Sequence, residues 1–175
     1  HPSIISLYGL GISKKGVPFY TMEKQLGGSL RKALKNEEMS AEQALEIFLQ
    51  TCHAIAYAHL VGIVHLDLKP ENIQIGTHGV VKVCDWGMSA TIRRALDERK
   101  VATGFYDLCG DNGDFSRSAG TPGYLAPERK TLRTPAAPAA DIFALGAILR
   151  EISTLFPKEA RRRLRAIAAR ANAES

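Results

Sequence analysis

Three observations on this 175-residue chain predict an α+β fold. Short β-branched and aromatic runs come first, helical patterns dominate the rest of the chain, and no segment repeats. "IISLYGL" and "VPFYTME" read as a strand pair joined by the turn "SKKG". A helix is expected after the Gly27–Gly28 break. Ser40 with Gln43 three residues on forms a capping box, followed by a helical face of Leu45, Phe48, Leu49, Cys52, Ile55, Ala56 and His59 that Gly62 stops. "NIQI" and "VVKVC" read as two short strands about a turn at Thr77–Gly79. Residues Arg99 to Gly123, rich in Gly, Ser and Asp, read as loop. "TPAAPAAD" breaks the chain again, and Asp141 is expected to cap "IFALGAILREI", apolar on most faces and therefore a buried central helix.

Composition narrows the function classes. A hydrophobic content of 45% excludes a disordered chain. No apolar run approaches the roughly 20 residues of a membrane span, so a cytoplasmic chain without a membrane span is expected. Cys52, Cys84 and Cys109 are widely spaced and form no CxxC pair, so reduced thiols are expected rather than a disulfide framework or zinc site. The net charge of +5 is concentrated in "PKEARRRLRAIAAR", which reads as a surface helix with an apolar stripe of Ala160, Leu164, Ile167 and Ala168. No aromatic residue interleaves with those arginines to stack on bases, so nucleic acid is not an expected partner.

The chemistry-bearing stretch is "HLDLKPEN", His65 to Asn72, which packs an acid, a base and an amide behind the apolar Val61, Ile63 and Val64. Phosphoryl transfer from ATP asks for positioned metal ions, charge neutralisation and an acceptor hydroxyl held in line; carboxylate, ammonium and amide groups are its tools. Taken singly, Asp85 or Asn72 reads as readily as a cap or turn residue. Together with "CDWG" (84–87), "GTPGYLAPE" (120–128) and "DIFALG" (141–146), the stretch stands in the order and approximate spacing of the eukaryotic-type (Hanks-type) protein kinases, which the chain resembles over nearly its whole length.

The resemblance implies a protein kinase-like fold, mainly the helical carboxy-terminal lobe with remnant strands and hinge of the amino-terminal lobe. Residues 1–22 would be remnant strands, 23–29 the hinge and 30–175 the carboxy-terminal lobe, apparently cut at its end. It makes Asp67 the catalytic aspartate, Lys69 the residue neutralising the transferred phosphoryl group, and Asn72 and Asp85 the Mg²⁺ ligands. Lys69 and Thr121 match serine/threonine kinases, Thr121 bonding to the catalytic Asp and Lys and shaping the acceptor pocket. Met22 takes the gatekeeper position, Glu23 and Gln25 offer backbone groups to adenine, and Gln74 stands where a leucine usually floors the base. His65, Trp86 and Leu7 are expected to stack in a hydrophobic spine. Leu66 replaces the arginine that usually precedes the catalytic Asp, so ordering by a phosphorylated activation segment is less expected; Ser116, Ser118 and Thr121 are the candidate phosphosites. The Gly-rich loop, strand lysine and helix glutamate of the family are expected upstream of His1, so this chain alone is expected to transfer phosphate weakly or not at all. The alternative is a pseudokinase or truncated lobe that binds proteins, with a partner covering apolar surface that includes Leu7, Tyr8 and Tyr20.

Overall fold

The computed structural model describes residues 1–36, 39–92, 121–130 and 137–173. Ser116, Ser118, Cys109 and most of the expected loop lie outside them. The chain divides into two compact units, the first made of residues 1–54 and 70–84, the second of 55–69 and 85–175.

In the first unit, β1 (Leu7–Ile12) and β2 (Pro18–Met22) pair antiparallel, Leu10 opposite Tyr20 and Ile12 opposite Pro18. The expected turn closes them: Ser13 N–H donates to Val17 O, Gly16 N–H to Ser13 O, and Gly16 takes the positive φ of 76° that a residue with a Cβ rarely adopts. A three-stranded sheet sets β5 (Ile73–Ile75) between β3 (Gly28–Ser29) and β6 (Val81–Val83). The intervening turn at Thr77–Gly79 carries His78 and Gly79 at positive φ, 60° and 75°. Helix α1 (Leu30–Lys35) starts at Ser29, whose hydroxyl accepts from Lys32 N–H.

Helix α2 (Ala41–Leu60) is entered through the expected capping box, Ser40 N–H donating to Gln43 Oε1 and Gln43 N–H to Ser40 Oγ. Its buried face differs from the expected one. Ala44, Ile47, Phe48, Thr51, Ala54, Ile55 and Ala58 are buried, whereas Leu49 is half exposed. The face is turned by about one residue, a step of roughly 100°. Thr51 concealed it: a polar residue in the seam is tolerated because its hydroxyl donates to Ile47 O at 2.8 Å.

The second unit carries β4 (Ile63–Val64) paired antiparallel with β7 (Ala90–Thr91). Helix α3 (Pro138–Ile152) is its buried centre, with Ala144, Leu145, Ala147, Ile148, Leu149 and Ile152 in the core, and α4 (Lys158–Ala173) packs against it. At the crossing Gly146 admits no side chain, since a Cβ there would lie 2.5 Å from Asn172 Oδ1 and 3.0 Å from Ala168 O. The stripe on α4 is narrower than expected: Ala168 is buried, but Ile167 is 56% exposed among the arginines. No helix among the described residues is long and apolar enough to cross a membrane.

Asp141 corrects the expected start of α3. The helix begins at Pro138, the first-turn position where a missing N–H costs nothing, with Ala137 as its N-cap. Asp141 therefore lies one turn inside and is only 1% exposed.

Candidate functional site

The second unit builds a hydrogen-bonded group around Asp67. Lys69 Nζ donates to Asp67 Oδ2 at 2.6 Å and to Thr121 Oγ1 at 2.9 Å, and Thr121 Oγ1 donates to Asp67 Oδ1 at 3.2 Å. Asp67 and Lys69 are mostly but not fully buried, their side chains 11% and 19% exposed, so the group keeps an accessible edge. A carboxylate held by such partners is fixed in rotamer.

The backbone beneath is over-determined. Asp141 Oδ2 accepts from His65 N–H at 2.8 Å, and its Oδ1 accepts from Leu66 N–H at 2.9 Å. His59 Nε2 lies 2.8 Å from Asp141 Oδ2. Asp67 N–H in turn donates to His65 Nδ1 at 3.3 Å. Burying an aspartate is costly unless its lone pairs are used; here three partners use them. His65 is fully buried and meets the Trp86 ring at a centroid distance of 4.6 Å and a tilt of 54°. Leu7, the third expected member of that stack, is 55% exposed in β1.

Asp85 is exposed and takes a left-handed backbone conformation, φ 60° and ψ 61°, at the head of the 3₁₀ turn Trp86–Met88. Its Oδ1 lies over Gly87, where an added Cβ would sit 3.5 Å away.

The remaining expected residues belong to the first unit. Asn72 is buried in the 3₁₀ turn Pro70–Asn72, and its carbonyl accepts from Cys84 N–H at 2.8 Å. Gln74, in β5, donates from Nε2 to Glu71 O at 3.0 Å, so its amide is folded back on its own chain. Glu71 accepts from Arg31 Nε at 2.7 Å. Met22 is half exposed at the end of β2. Glu23 N–H donates to Ser6 O, and its carboxylate meets Lys82 Nζ at 3.1 Å; that bond to Lys82 holds the carboxyl below its usual range. Gln25 Oε1 would lie 3.0 Å from a Cβ at Gly76, and a Cβ at Gly27 would strike Ile75 O at 1.8 Å, so glycines let residues 25–28 lie flat on β5. A pocket of about 650 Å³ lies in this unit and is lined by none of the expected catalytic or metal-binding residues.

Asp141 and His59 are the site-forming residues that sequence reasoning missed. The available signal for Asp141 was Pro138: a proline at the first helical position leaves an Asp three residues later inside the helix, where burial requires donors. Arg31 with Glu71, 40 residues apart, carried no local signal.

The chain is similar to known proteins over nearly its whole length. The family model described as "Protein kinase domain" matches residues 1–172. The chain is 34% identical over 171 residues to the serine/threonine-protein kinase PknD of Protochlamydia amoebophila, covering 89% of this chain and 17% of that protein. A probable serine/threonine-protein kinase of Corynebacterium efficiens is 35% identical over 158 residues, covering 88% of this chain and 22% of that protein. The chain thus spans about a fifth of the length of these relatives. A chain of the yeast RNA polymerase II CTD kinase CTDK-1 complex shares the fold, with a TM-score of 0.67, 22% identity, and coverage of 89% of this chain and 46% of that one.

Proposed function

Because the chain belongs to the protein kinase domain family, we propose that it supplies the catalytic lobe of a protein serine/threonine kinase that moves the γ-phosphoryl of ATP to a Ser or Thr hydroxyl of a protein substrate. The observation that carries this reading is the Asp67–Lys69–Thr121 group. In it Asp67 orients the acceptor hydroxyl and takes its proton, Lys69 balances the charge that builds on the transferred oxygens, and the Thr121 hydroxyl holds both in register. Holding the acid and the cation in place before the substrate arrives removes their ordering cost from the reaction.

The side-chain oxygens of Asp85 and Asn72 are hard donors of the kind Mg²⁺ takes, so these two residues would hold it, and Met22, Glu23, Gln25 and Gln74 would line the nucleotide's base. Bound there, Mg²⁺ supplies charge neutralisation on the phosphate oxygens. A cytoplasmic location suits a protein that uses ATP.

Asp67→Asn keeps the shape and removes the proton acceptor. It is expected to cut phosphate transfer by about 10²–10⁴-fold while calorimetry still detects Mg-ATP binding. Unchanged turnover would overturn the assignment.

A second reading, a lobe that acts by binding a protein, is favoured by the apolar β1–β2 hairpin, where Leu7, Tyr8, Leu10, Ile12, Phe19 and Tyr20 are all at least half exposed. Mg-ATP stabilising the protein against heat would count against its binding-only form.

A further inference from the structure

The first unit holds a groove that no residue of the Asp67 group lines. Its cavity of about 650 Å³ lies among β3, α1, α2 and the β5–β6 turn. A second cavity of about 420 Å³ shares Gln50, His78 and Gly79 with it and continues along α2 to His53. Gln43, Ile47, Gln50 and His53 recur at helical spacing, so the lined stripe of α2 runs about 15 Å at a rise of about 1.5 Å per residue. That is the length of about four or five extended residues. Much of the remaining wall is bare main chain, since Gly27, Gly28, Gly76 and Gly79 line it and β3 is an edge strand of its sheet. Three polar side chains in the wall have no partner among the described residues: the Lys32 ammonium from α1, and the Glu46 carboxylate and partly buried Gln50 amide from α2. The Lys32 stem lies over β3, its Cδ 3.5 Å from where a Cβ at Gly28 would be.

We propose that this groove docks an extended polypeptide segment carrying an acidic and a basic side chain next to each other: Gln50 pairs with the segment's main chain, Lys32 with its acid and Glu46 with its base. A primary amide offers two donors and an acceptor, the complement of a peptide unit's C=O and N–H. Glycines in the wall let a second backbone approach closely. Neighbouring residues of an extended chain point to opposite sides, so adjacent side chains reach α1 and α2 separately. Small-molecule sites are lined mostly by apolar side chains; here polar side chains outnumber apolar ones, which suits a ligand held by hydrogen bonds along its backbone. Docking here makes no use of phosphate transfer and stands apart from the kinase reading.

The test passes the full-length protein, without nucleotide and at about pH 8 where imidazoles are neutral, over arrays of capped hexapeptides. These are degenerate except at the two central positions, set to Glu-Lys, Lys-Glu, Lys-Lys or Glu-Glu. Wild type is expected to be retained about threefold more by one of the mixed pairs than by either like-charged pair, the scale of a solvent-exposed ion pair. Lys32→Glu is expected to move the preference to Lys-Lys, and Glu46→Lys to Glu-Glu. Lys35→Glu, on the same helix as Lys32 but outside the groove, is expected to leave it as in wild type. Gln50→Ala is expected to lower retention on every array about fivefold, the loss of one hydrogen bond. Lys32 and Glu46 are exposed, so neither reversal threatens the fold. No retention of wild type, or a preference that ignores either reversal, overturns the proposal. Free lysine and glutamate that displace the protein as fully as a capped peptide at the same concentration mark a pocket for small ions and also overturn it. The full set of switches in a protein that transfers no phosphate overturns the kinase reading alone.

Discussion

The loop around Asp67 and the β1–β2 hairpin are both short, and they are held in opposite ways. From His65 to Lys69 every residue is buried or nearly so, and side chains fix the backbone: Asp141 binds two of its N–H groups, and Lys69 and Thr121 bind Asp67. Between Leu7 and Met22 the ladder and turn hydrogen bonds hold the chain, while large apolar side chains point into solvent, Ile12 at 74% exposure. An isolated two-stranded hairpin is marginal in water. The loop is thus specified by packing and charge, the hairpin by turn chemistry and ladder register.

The strongest way to break that contrast is to remove the loop's anchor. Asp141→Ala leaves the buried His65 and Leu66 N–H groups without their acceptor and is expected to cost about 3–5 kcal/mol in chemical denaturation. A loss below about 1 kcal/mol would mean that the loop holds itself. Ser40→Ala, which deletes one half of the α2 capping box, is expected to cost about 1 kcal/mol by the same measurement. On the hairpin, Leu10→Thr is expected to change stability by no more than about 0.5 kcal/mol, because an exposed strand residue buries little. A larger loss in the full-length protein would show that another surface covers β1 there.

The smallest effect concerns the Glu23–Lys82 pair. Glu23 is ionised to lower pH in the folded chain than in the unfolded one, so its contribution is present above the unfolded value of 4.5 and fades as pH falls through the lower folded value. Glu23→Gln is therefore expected to flatten the acid limb of a stability–pH curve below about pH 4.5 and to leave its slope at pH 7 unaltered. Equal acid limbs in the two proteins would remove the pair from the account.

Much of this was legible in the sequence because it is written locally. The turn at Gly16, the box at Ser40 and Gln43, and the buried helix after Pro138 each depend on residues within a few positions of one another. The grouping of Lys69 and Thr121 with Asp67 was legible through resemblance, since 54 residues separate the aspartate from the threonine. What escaped was decided by tertiary partners. Thr51 rotates the buried face of α2 because a hydroxyl can be satisfied within the helix. Asp141 turns from a cap into a core residue because His59 and two backbone amides from a distant loop meet it there. Ile167 sits outside the stripe of α4 because Gly146 lets small residues, not large ones, form the crossing with α3.

Trp86 is the chain's single tryptophan; its ring lies against His65, which stands two residues before Asp67, and Asp85 is its immediate neighbour in sequence. An indole in that position is a native optical reporter. Its emission responds to the polarity and quenching of the surroundings that Asp85 and His65 create, so arrival of a charged ligand near Asp85 can be followed in unlabelled protein, in real time and without coupling to any assay of product.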